Sequence, residues 1–329
     1  MMLTCVITWP RLLLAHLVKS GKIQSDLISA VADVLNDTIK EQISKAKYFA
    51  IMVDESTDVS NAAQMSLILR YVSDEGVKER FLKFEDVTEN KQAHNLAPAI
   101  LNFLDSYECK SKVVAQSYDG PAVMASGING NQSPWRGGGR GRAKSISREN
   151  RGCPHSLLTQ ITNRFKDHKR LLFVALLDPQ LFTQYKQSFP ENTQRSLDES
   201  YGAHFDLTRL RTELRVMYSM SDFQGKSPND LLTFLRAKGL GDSMPQLHAL
   251  TCLVVTIPVS PASVERSFSA LKRIKTYSRN TTGQTRLSAL ASISIEKELL
   301  LQLKKENRLH KEVIDRFIRK ERRMDFIFK

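Results

Sequence analysis

The stretch AKYFAIMVDESTDVSNAAQMSLILRYV, residues 46–72, decides the fold class. Its opening, Tyr48 to Val53, is an unbroken apolar run, the pattern of a strand covered on both faces. After a polar turn, Met65, Leu67, Leu69 and Tyr71 alternate with more polar neighbours, and Leu82 and Phe84 continue that period in a third strand. Leu96, Ile100 and Leu104 then recur at helical spacing, and Val113, Val114 and Ala115 supply a fourth short strand. Three strands, a helix and a strand make an α/β unit.

Upstream, Leu27, Val31, Leu35, Ile39 and Ile43 fall at every fourth residue, so residues 25–45 are expected to form an amphipathic helix capped by Ser25. The apolar start, Met1 to Val18, is interrupted by Pro10, Arg11 and His16. It has neither the length of a membrane span nor the order of a secretory signal, and reads as an imperfect helix or an abnormal N-terminus. Downstream, residues 127–152 are rich in glycine and in arginine and offer almost no apolar side chain to bury, the composition of a disordered linker. Leu171 to Leu177 then opens a mostly helical half, with helices expected around 207–220, 228–237, 245–256, 261–276 and 284–302. The chain divides accordingly into an N-terminal segment (1–24), an α/β core (25–126), the linker (127–152), a helical segment (153–228), a second helical region (229–302) and a basic tail (303–329).

Charge narrows the partners. The formal net charge is +13, from 48 basic and 35 acidic residues, and such a surplus favours polyanions, because bound phosphates release counterions. Nucleic acid leads, ahead of an acidic membrane surface or an acidic protein. Arg136, Arg140, Arg142 and Lys144 in the linker are candidate phosphate contacts, and the basic tail from Lys304 to Arg323 is either a second one or a nuclear import signal. Cys5, Cys109, Cys153 and Cys252 are too scattered for a disulfide framework and form no CxxC pair, which suits a reducing compartment.

Two carboxylates could carry chemistry. Asp54 ends the first strand and Asp119 directly follows the fourth; if those strands are neighbours, the two meet at one sheet edge. Paired carboxylates can share two divalent cations about 3.5–4 Å apart, which activate water and stabilise the leaving oxygen in phosphodiester cleavage. This is the plan of RNase H-like nucleases and integrases. The alternative is that Asp54, Glu55 and Asp58 only solvate a turn.

Residues 46–72, together with VVAQSYDGPAVMAS at 113–126, resemble the first half of the catalytic core of hAT-superfamily DNA transposases, and within it the zinc finger MYM-type protein 1 group. The segment PVSPASVERSFSALKRIKTYSRNTTGQTRLSALASISIE, residues 258–296, is similar to the hAT C-terminal dimerisation signature, and residues 177–219 resemble the sequence before it. The resemblance implies an α/β fold with an incomplete RNase H-like mixed sheet and flanking helices, followed by a mostly α-helical C-terminal half. It also implies that Asp54, Asp119 and Glu265 descend from a metal-binding acidic triad. Read from the residues themselves, Ser260 can cap a helix whose first turn holds Pro261; Val264, Phe268 and Leu271 form one apolar stripe, and Leu287, Leu290, Ala291 and Ile295 a second. Val264, Phe268, Leu271, Leu287 and Leu290 are therefore candidate dimerisation residues, with ordinary core as the competing reading.

The family carries a large helical insertion between the second aspartate and the signature, where this chain has the Gly/Arg-rich stretch; nor does a zinc finger precede Asp54. Cys153-Pro154-His155 lacks a second ligand pair, and Trp135 stands outside the family's tryptophan context. The expectation is a transposase-derived, catalytically inactive nuclear protein, a homodimer or a partner of related hAT-derived proteins, with nonspecific affinity for DNA or RNA and no membrane association. It would need no cofactor. The alternatives are an active metal-dependent transposase, using Mg2+ if the triad assembles, and a degraded gene product without settled activity.

Overall fold

The computed structural model describes residues 21–88, 100, 104–107, 109–118, 168–258, 260 and 262–319. Helix α1 (Gly21–Lys45) leads into β1 (Phe49–Thr57), β2 (Ala63–Ser73), β3 (Gly76–Asp86) and β4 (Val113–Tyr118). The described strands form one mixed sheet in the order β3-β2-β1-β4, antiparallel except for β1 and β4, which run parallel. The fourth strand thus lies beside the first, as the placement of Asp54 and Asp119 requires. The β2–β3 connection turns at Asp74 and Glu75, and Gly76 enters β3 at φ 116°, a backbone conformation that a side chain would strain.

Alternation explains how the sheet is covered. The odd-numbered side chains Phe49, Ile51, Val53, Met65, Leu67, Leu69 and Tyr71 share a core with Leu35, Ile39 and Ile43 of α1. On the other face, Met52, Ile68, Phe81 and Phe84 meet Val264, Phe268, Leu271, Leu287 and Ala291. Both faces of β1 are therefore covered, which is why its sequence is apolar without alternation. Each large aliphatic or aromatic side chain buried this way contributes about 1.5–3 kcal/mol relative to exposure.

The second half begins with a 3-10 segment, His168–Leu177, in place of a regular helix. It continues through α2 (Phe182–Gln187), α3 (Glu191–Tyr201), α4 (Leu207–Ser219), α5 (Pro228–Ala237), α6 (Pro245–Thr256), α7 (Ala262–Ile274), α8 (Gln284–Ile295), α9 (Lys297–Lys305) and α10 (Arg308–Arg319). Their largest apolar cluster, including Phe173, Tyr201, Leu214, Leu231 and Leu253, reaches the sheet at Tyr48, Ala50, Val114 and Ala115. Leu299 and Leu303 of α9 instead join the α1 side of the sheet.

Two local expectations are corrected. Helix α1 begins at Gly21, so Ser25 lies inside it, its hydroxyl donating back to the Gly21 carbonyl at 2.8 Å instead of capping. Residues 284–302 are not one helix: they break at Glu296, whose carboxylate is drawn into the sheet by Arg80 and the Phe81 amide. The cap at Ser260 does form, its hydroxyl accepting from the Ala262 amide at 3.2 Å. The linker, the tail beyond Arg319 and most of the helix expected at 95–104 lie outside the described residues.

Candidate functional site

Asp54 sits near the C-terminal end of β1, directly opposite Ser66 of β2, and its Oδ1 accepts the Glu55 amide at 2.7 Å. Strand alternation places it on the same face as Met52, the face that α7 covers. Ser66 and Ser267 of α7 share a hydrogen bond of 2.7 Å, so α7 crosses the sheet level with Asp54. Glu265 is two residues earlier on the same helix, but it is exposed, whereas Ser263, Val264, Ser267, Phe268 and Leu271 form the buried stripe. Parallel pairing sets Val53 beside Tyr118, so the chain leaves β4 toward Asp119 at the Asp54 edge; Asp119 itself lies outside the described residues. Among the described residues, no group of three or more His, Cys, Asp or Glu side chains is placed to hold a metal ion.

The edge is organised by an ion pair that the sequence did not disclose. Lys275, just past the end of α7, reaches Asp58 in the turn after β1, Nζ to Oδ2 at 2.5 Å, with both side chains nearly inaccessible. Asp58 Oδ1 also accepts from the Ser60 amide and hydroxyl and from the Ala62 amide. Burial by itself would push this carboxyl up; the hydrogen bonds from Lys275, Ser60 and Ala62 outweigh it and hold Asp58 below the ordinary carboxylate range.

A second buried pair ties α8 and α9 to the sheet. Arg80 Nη1 donates to Glu296 Oε2 at 2.8 Å and the Phe81 amide donates to Oε1 at 2.7 Å, while Gln42 of α1 accepts from both Arg80 and Tyr71. Burial raises the Glu296 carboxyl above its usual range despite Arg80. At the other end of the sheet, Arg70 donates twice to the Val255 carbonyl in the last turn of α6 and pairs with Glu79 at 2.5 Å. The pairs Lys275–Asp58, Arg80–Glu296 and Arg70–Val255 each join residues more than a hundred positions apart, so periodicity could not have found them.

Of the candidate dimerisation residues, Val264, Phe268, Leu271 and Leu287 are buried within the single chain against Met52, Ile68, Phe81 and Phe84, and Leu290 is half-buried on α8. Phe268 stacks on Phe84 with ring centroids 6.1 Å apart. These side chains fix the helical layer to the sheet and are not an open contact face. Among the described residues from α4 to α8, the exposed large apolar side chains are Val216, Met220 and Tyr277. The linker candidates Arg136, Arg140, Arg142 and Lys144, and Cys153, His155 and Trp135, lie outside the described residues. No described helix is long and apolar enough to cross a membrane.

Comparison with known families matches both halves. Residues 13–130, spanning α1 and the sheet, match the family described as ZMYM1/FAM200, RNase-like domain. Residues 212–299, from α4 into α9, match the hAT family C-terminal dimerisation region. With an RNase-like sheet domain ahead of an hAT dimerisation region packed onto it, the chain is a protein derived from an hAT transposase.

Proposed function

We propose that this chain acts in the nucleus as a self-associating, catalytically inactive derivative of a transposase, holding DNA or RNA nonspecifically. The observation that carries the reading is the state of the C-terminal region: the described residues matching the dimerisation family are mostly packed helices, and they leave Val216, in the last turn of α4, and Met220, the residue that caps its C-terminus, 42% and 45% exposed. Two large apolar side chains left open at one helix end suit contact with a second copy. Related hAT-derived chains carrying the same region are the other partners expected. The linker cations Arg136, Arg140, Arg142 and Lys144 supply the phosphate affinity in this reading.

Light scattering of the full chain across a concentration series tests it. A dimer that the Val216→Asp, Met220→Asp variant turns into a folded monomer supports both the association and its place; a wild-type monomer at tens of micromolar removes the reading.

A second reading, metal-dependent strand cleavage, is favoured by one observation: β1 and β4 are parallel neighbours with Val53 beside Tyr118, so the C-terminal end of β4 lies next to Asp54. Carboxylate oxygens suit Mg2+, and the ion would activate water there. Asp54 and Asp119 would hold it, with Glu265 as third donor only if its side chain turned from the solvent side of α7 toward the sheet. Nicking of plasmid DNA in Mg2+ that disappears in Asp54→Asn would establish this reading; absence of nicking by wild type leaves the first.

A further inference from the structure

We propose that the loop between α7 and α8, residues 275–283, is a contact site for single-stranded nucleic acid in which Tyr277 is a stacking platform. The inference rests on the nucleic-acid reading above and gives it a second, structured location. Tyr277 is 86% exposed, the most open large apolar side chain among the described residues. An aromatic ring normally buries most of its area, and one left bare in a basic setting offers a π-face to an unpaired base.

The setting is strongly basic. Between Glu265 and Glu296 the sequence contains Arg266, Lys272, Arg273, Lys275, Arg279 and Arg286 and no acidic residue. Three of these cations are committed elsewhere: Lys275 to Asp58, Arg266 to Glu79 and Arg286 to the Ser25 hydroxyl. Lys272, Arg273 and Arg279 are exposed and have no ion-pair partner among the described residues. Basic side chains at the end of a helix also offset its dipole; that accounts for Lys272 and Arg273 but not for Arg279 or for a bare tyrosine between them.

Preorganisation is the third element. The Lys275–Asp58 pair anchors the start of the loop to the turn after β1, the Arg279 amide donates to the Thr276 carbonyl at 2.8 Å, and Thr282 donates to the Arg279 carbonyl at 2.9 Å. Ser278, Asn280 and Thr281 of the same loop are exposed and can donate to phosphate oxygens. A single strand fits better than a duplex, since duplex bases are already stacked and cannot receive the ring.

Fluorescence anisotropy of the full chain with a labelled oligothymidylate of about 15 nucleotides tests the site. Tyr277→Ala is expected to weaken binding about tenfold, the scale of one lost base stack. Lys272→Gln, Arg273→Gln, Arg279→Gln is expected to flatten the slope of log affinity against log salt by about 2, roughly 0.7 per phosphate contact. Both effects should persist when Arg136, Arg140, Arg142 and Lys144 are all changed to Gln. If only that linker variant loses affinity, the loop site is overturned while the nucleic-acid reading stands. If wild type binds no oligonucleotide, both fall. A Tyr277→Ala chain that binds like wild type but scatters as a monomer assigns the loop to the subunit contact and also overturns the site.

Discussion

Asp58 and Lys275 show how a residue's type can be legible and its role not. An acid after a buried strand reads as turn solvation, and Asp58 does organise its turn, but its second oxygen closes on a lysine 217 residues away. Removing one member leaves the other buried without a counter-charge, a loss of about 3–5 kcal/mol. Asp58→Asn is therefore expected to lower the unfolding free energy, measured by urea titration, by about that amount. Because the Asp58 carboxyl is depressed in the folded state, its contribution is present above the unfolded carboxylate value near 4 and is lost as pH falls through the lower folded value. Wild type should lose stability on acidification in that window, and Asp58→Asn should lose less. Glu296 has the opposite sign: its carboxyl is raised, so its contribution is greatest below the usual range and declines as pH rises through the folded value. Arg80→Met should deepen that decline, visible as a steeper fall in denaturant midpoint as pH rises above the ordinary carboxylate range. Of the candidate site, the apolar run locates Asp54 on β1, which continues three residues past it to Thr57 instead of ending there, whereas the exposed orientation of Glu265 depends on which face of α7 meets the sheet.

Among elements, periodicity was most informative where one face is buried and least where tertiary contacts intervene. The stripe Val264, Phe268, Leu271 identified both the helix and its buried side, but not what lies opposite, because period alone is the same for a neighbouring sheet and a second subunit. The sheet lies opposite. Phe268→Asp, Leu271→Asp is accordingly expected to abolish cooperative unfolding by circular dichroism, since two charges would enter a dry core, while Val216→Asp, Met220→Asp should still unfold cooperatively. A folded Phe268→Asp, Leu271→Asp chain would contradict the packing described. The break between α8 and α9 had no local signal: no proline or glycine marks it, and it exists because Arg80 and the Phe81 amide take hold of Glu296.

For the whole molecule, the four strands and the helical second half were readable from sequence, because each rests on local patterns. How the halves join was not, because the joints are side chains such as Arg70 on Val255 and Ser66 on Ser267. The apolar side chains of α9 belong to the α1 face of a sheet whose hairpin ends at Asp86. A chain ending after Glu296 should leave that face open, and is expected to bind 1-anilinonaphthalene-8-sulfonate where the full chain does not. On the ribosome the same arrangement imposes a delay. At about 5–20 residues per second, synthesis from Asp86 to Leu303 takes roughly 10–40 s, during which the nascent sheet lacks its last cover. Chaperone occupancy during translation, more than final stability, would then set how much of this protein a cell accumulates.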